Sequence, residues 1–92
     1  MLTTVWHTNS LPYKNPGDVV YIGRPSKWGN PFVIGKHGNR REVVEKYRQW
    51  IMQKPELLNA LHELRGKRLA CFCKPEACHG DVLAELANGL GQ

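Results

Sequence analysis

"VVYIG", residues 19–23, is a continuous apolar run rich in β-branched side chains. That is the pattern of a strand buried on both faces of a sheet. The next run of this kind is "RLACFC", residues 68–73, and two helical patterns lie between them. Asn39 stands where a cap is needed, and Val43, Val44, Tyr47, Trp50 and Ile51 follow with the spacing of one buried stripe. Pro55 suits the first turn of a second helix, where its missing N–H costs nothing. Leu57, Leu58, Leu61 and Leu64 form the apolar face of that helix, and Gly66 is placed to end it. A strand, a helical crossover and a second strand imply parallel neighbours with a right-handed connection.

Working outward, "TTVWHTNS" (3–10) reads as an earlier strand and "LPYKNPGD" (11–18) as a loop dense in Pro, Gly and Asn. "FVIG" (32–35) is a short strand or the end of a loop. "HGDVLAELAN" (79–88) is a third helix, with Val82, Leu83, Leu86 and Leu90 facing inward and Gly89 near its end. The order is β-β-(β)-α-α-β-α. The expectation is one α/β domain over residues 1–92, a small, mostly parallel sheet with covering helices, in effect a minimal Rossmann-like layer.

The chain has 92 residues, 41% of them apolar, as in a folded globular domain. No apolar run approaches the roughly 20 residues of a membrane span, and "MLTTVWHTNS" lacks the pattern of a secretion signal. Three cysteines are an odd set for a disulfide scaffold, which favours a reducing compartment. A cytoplasmic protein with no membrane association is expected. The net charge of +5 favours anionic partners: nucleic acid, nucleotides and other phosphorylated molecules. The basic residues are not bunched in one arm, which weakens a nucleic-acid role relative to a small phosphorylated ligand.

Ligands of open α/β sheets bind beyond the carboxyl ends of the parallel strands. Both buried runs end in unusual loops, so both loops are expected at one edge. After Tyr21 and Gly23 comes "RPSKWGNPF". Arg24 and Lys27 bring charge, Ser26 and Asn30 bring neutral donors, and Trp28 brings a flat face for a base or sugar. Gly29 permits close backbone approach, and the prolines stiffen the loop. A plainer reading has Trp28 and Phe32 plugging one end of the core.

The second loop, "KPEACHGDV" (74–82), completes a set of three cysteines, a histidine and an aspartate. Three readings compete. As a zinc site, Cys71, Cys73, Cys78 and His79 have the right donor types but the wrong spacing, since adjacent Cys78 and His79 seldom converge on one ion. As a nucleophilic centre, Cys73 or Cys78 is the thiolate, favoured at a helix start, His79 is the base or acid, and Asp81 orients the histidine or is itself the acid–base group. As a pocket, the helix start takes a phosphate, His79, Gly80 and Asp81 contact the ligand, and Cys71 packs beneath as a small hydrophobe. The pocket reading is carried forward, with Cys73, Cys78, His79 and Asp81 as the catalytic candidates, no metal and no cofactor.

The stretches "VYIGRPSKWGNPF" and "LACFCKPEACHGDVLAELAN", with the helix "REVVEKYRQWI" between them, resemble domain-of-unknown-function family 4326, a group of small bacterial and phage proteins. The resemblance spans most of the chain. Frequent occurrence in phage genomes implies a role in nucleotide metabolism or host conflict. The cysteine stretch is also loosely similar to another α/β family with a C-then-CH-arginine motif, but Gly80 stands in the arginine position and no residue role carries over.

Three functions remain open: a hydrolase or transferase acting on a nucleotide or other small phosphorylated substrate at the 24–32 and 73–81 loops; a module that sequesters such a ligand without turnover; and a basic adaptor for nucleic acid or protein. Residue type alone does not separate enzyme from binder, and oligomeric state is not legible.

Overall fold

A computed structural model describes residues 2–8, 18–72 and 76–89. Three strands, β1 (Thr4–His7), β2 (Val19–Tyr21) and β3 (Arg68–Cys71), form an all-parallel sheet in the order β1-β3-β2. The helices are α1 (Arg40–Ile51), α2 (Pro55–Ala60), continued by a 3₁₀ turn over Leu61–Leu64, and α3 (His79–Gly89). The small parallel α/β architecture expected from the sequence is therefore correct.

The strand roles differ from the first reading. β2 is an edge strand: Val19 and Val20 are half-buried and Tyr21 is exposed. β3 holds the centre, and Leu69, Ala70 and Cys71 are buried along it. Two apolar runs look alike in sequence, but only the one with a neighbour on each side loses both faces to protein. "FVIG" is a turn. The Val33 amide donates to His37 Nδ1 at 2.8 Å, and the Lys36 and His37 amides return to the Val33 carbonyl. Those local bonds consume the groups that a strand would offer to a neighbour.

The core forms where the helical stripe predicts it. Val5, Leu69 and Val20 stand in register across the sheet. They join Val82 and Leu83 of α3, Tyr47 and Ile51 of α1, and Leu57, Leu61 and Leu64. Asn39 caps α1 in a full capping box: its side chain accepts from the Glu42 amide, and the Glu42 carboxylate accepts from the Asn39 amide. On the surface, Arg48 of α1 pairs with Glu85 of α3 at 2.6 Å, and that hydrogen bond holds the Glu85 carboxyl below its ordinary range. Exposed pairs of this kind contribute little. Thr3 ties the chain start to the rest, its hydroxyl donating to the Leu64 carbonyl and accepting from the Gly66 amide. Gly66 has φ +71°, the left-handed conformation expected of a helix-ending glycine.

α3 lies across β1 and β3 with its first turn pressed onto the strands. Gly80 makes that approach possible. A Cβ there would sit 2.6 Å from Ile22 Cδ1 and 3.0 Å from Val5 Cγ1, and Ile22 is fully buried. Gly80→Ala should lower stability by about 1–3 kcal/mol through overpacking. The check is a shift of the urea midpoint; a midpoint unchanged from wild type would contradict this close approach.

Candidate functional site

All three strands run in one direction, so their carboxyl ends share an edge, and the two loops picked out in the sequence leave from it. A cavity of about 410 Å³ lies between them, within the range of ligand pockets. From the first loop it is lined by Tyr21, Gly23, Arg24 and Asn30, and from the second by Cys78 and His79. Arg40, Phe32 and Phe72 also line it.

The second loop enters α3 through an unusual cap. Cys78 precedes the helix, and its Sγ accepts from the Gly80 amide at 3.2 Å. Asp81 Oδ2 reaches back to accept from the Cys78 amide at 3.1 Å. The arrangement is a capping box with a thiol in place of the usual hydroxyl. Asp81 thus holds the helix start, and its charge also acts on His79. Because the Cys78 and Gly80 amides already donate within the loop, the helix terminus is a weaker phosphate cradle than expected.

His79 is oriented by the first loop. Its Nε2 donates to the Ile22 carbonyl at 2.8 Å, joining the end of β2 to the start of α3. A carbonyl can only accept, so Nε2 carries the proton and Nδ1 presents a lone pair. That lone pair faces Cys78 Sγ at 3.6 Å. Burial lowers the His79 pKa, and the nearby Arg24 charge adds to that effect. The imidazole is neutral near pH 7, which leaves Nδ1 able to accept a proton from the thiol. Cys78 Sγ also lies 3.0 Å from Cys71 Sγ. Cys71 is buried in β3, in the packing role expected for it. Among the described residues no group of three or more His, Cys, Asp or Glu side chains could hold a metal ion. Cys73 lies outside the described residues.

The first loop divides differently from the reading of its residue types. Trp28 is 2% exposed and belongs to the core, with its carbonyl accepting the buried Tyr47 hydroxyl at 2.7 Å. It plugs the core and offers no stacking face to the cavity. Burial raises the Tyr47 pKa strongly, so that hydroxyl stays a donor. Lys27 turns away to Glu63 at 2.9 Å. The Ser26 hydroxyl oxygen is shielded from solvent and has no hydrogen-bond partner among the described residues. Asn30 spends its amide on structure, donating to the Val43 carbonyl and accepting from the Phe32 amide. Gly29 makes room for the Arg24 stem, since a Cβ there would lie 2.9 Å from Arg24 Cγ.

Arg24 is therefore the cation that this loop gives to the cavity. The second is Arg40, which the sequence reading missed. It occupies the first position of α1 and donates from Nη1 to the Ala77 carbonyl at 3.2 Å. Its signal was available: a helix whose cap follows a candidate binding loop brings its first residues to the same edge.

The lowered His79 pKa makes stability depend on pH in a defined direction. Between the folded pKa and the ordinary value of 6.5 the unfolded chain binds a proton that the folded chain does not. This contribution is present above pH 6.5 and is lost as pH falls toward the folded pKa. His79→Gln cannot titrate, so the stability gap between wild type and variant should narrow from pH 7 to pH 5. Urea midpoints across that range provide the check, and a constant gap would contradict a buried neutral imidazole.

Comparison with known proteins gives the chain relatives but no activity. Residues 7–89 match the family described as "Domain of unknown function (DUF4326)". An "Uncharacterized 12.4 kDa protein in nrdA-td intergenic region" of Enterobacteria phage T4 is 40% identical over 83 residues, covering 85% of this chain and 74% of the phage protein. No solved structure gives a significant match. The family match runs through both loops of the cavity and the helix between them, and the chain belongs to domain-of-unknown-function family 4326.

Proposed function

We propose that the protein binds a nucleotide or other small phosphorylated molecule in the cavity between residues 24–32 and 76–81, with the anion held by Arg24 and Arg40. The observation that carries this reading is the pairing of two arginines from separate elements on one cavity whose other walls are largely apolar and aromatic. Among the described residues no carboxylate lines that cavity. A neighbouring hollow shares Arg40 and Ala77 but adds Glu45 and Glu76, and its mixed charge suits an anion less well. The net charge of +5 supports attraction of the same class of ligand.

The groups for turnover are Cys78 and His79. Transfer of the thiol proton to Nδ1 would leave a thiolate that the Gly80 amide supports, poised for hydrolysis or group transfer through a covalent intermediate. A second reading, a module that holds the ligand without converting it, draws on the burial of Cys78, which is only 1% exposed. A sulfur so enclosed serves well as a helix cap and poorly as a nucleophile toward a bulky substrate.

Calorimetric titration of AMP, adenosine and inorganic phosphate at low salt tests the proposal. AMP should bind more tightly than adenosine. Arg24→Ala and Arg40→Ala should each weaken AMP about ten- to a hundredfold, the loss of one charge-assisted contact of roughly 1.5–3 kcal/mol. Lys27→Ala, which alters a surface ion pair with Glu63 and does not line the cavity, should change little. Equal affinity for AMP and adenosine would overturn the reading.

A further inference from the structure

Burial of Trp28 leaves the cavity without the stacking face that the sequence offered, yet another aromatic stands at its mouth. Phe72 directly follows the central strand, lines the cavity and is 65% exposed. A single exposed ring is ordinary on a protein surface, but this one belongs to the cavity lining and sits in a group of three rings. Two rings flank it from the neighbouring strand ends. His7 of β1 meets it at 5.9 Å between centroids and 87° between planes, and Tyr21 of β2 at 6.0 Å and 72°. Neither lies parallel to Phe72, so neither takes the place of a stacked ring. Tyr21 is itself pinned, its hydroxyl donating to the Arg24 carbonyl at 3.0 Å. That bond fixes the aromatic rim relative to the loop that carries the cavity's cation.

We infer that Phe72 is the platform on which the planar base of the bound ligand stacks, with His7 and Tyr21 bracing it. The site would thereby select nucleotides over phosphorylated sugars. The inference rests on the reading above that Arg24 and Arg40 hold a phosphate. Its own ground is the continuity of an uncovered ring with the cavity those arginines line. A base over Phe72 and a phosphate held by the arginines draw on residues that line one pocket. Stacking tolerates any base, because every base has a π face, so the platform predicts a preference for nucleotides as a class.

The test compares AMP, CMP, ribose 5-phosphate and inorganic phosphate by calorimetric titration, on wild type, Phe72→Leu and Phe72→Trp. AMP and CMP should bind wild type about ten- to a hundredfold more tightly than ribose 5-phosphate. In Phe72→Leu that ratio should fall toward one, and in Phe72→Trp it should be kept or increased, with the introduced indole quenched on AMP binding. Phe72 is exposed, so neither variant threatens the fold. Equal wild-type affinity for AMP and ribose 5-phosphate, both tighter than adenosine, would overturn the platform while leaving the phosphate reading intact. A ratio unchanged in Phe72→Leu would also overturn it. Binding of none of the phosphorylated compounds would overturn both.

Discussion

The hydrogen bond from His79 Nε2 to the Ile22 carbonyl is the contact on which the site depends. It joins two loops far apart in sequence, at the ends of an edge strand and of the central strand's connection to α3. Around it the packing is tight. Ile22 is fully buried, Gly80 yields space to it, and the Tyr47 ring meets the His79 ring at 5.0 Å. A buried carbonyl with no donor would cost about 1–3 kcal/mol, so the bond holds the edge together as well as setting the tautomer.

That tautomer decides which ring nitrogen meets Cys78. With Nε2 committed, the only ring nitrogen left faces Cys78, and burial keeps it neutral. The thiol caps α3, and the same position places it 3.6 Å from His79 Nδ1. The cap role of Cys78 is thus compatible with the nucleophile role proposed for it. Which of them matters to function depends on whether a ligand reaches the sulfur.

Much of this was legible in the sequence because it rests on local rules. Helical spacing gave the stripe of Val43, Tyr47 and Ile51, the Asn39 cap, and Gly66 as a terminator. Parallel strands gave the shared edge. What was not legible depends on which neighbour a side chain meets. Trp28 and Lys27 have the residue types of a binding loop, but one meets the core and the other meets Glu63. Asp81 looks like a partner for His79, and its backbone position also makes it the cap of α3. Arg40 drew no reading from the sequence and Phe72 fell within a run read as strand, and only the fold brings them to the cavity. "VVYIG" and "RLACFC" carry the same signal, and the choice of centre and edge is made by strand order alone.

The most direct test of the account is the protonation of His79, observed by long-range proton–nitrogen correlation NMR of the imidazole across pH 4–8. The account predicts a neutral ring at pH 7 with its proton on Nε2, and a pKa below the ordinary value of 6.5. A proton on Nδ1, or an imidazolium that persists at pH 7, would contradict the bond to Ile22 and the site built around it.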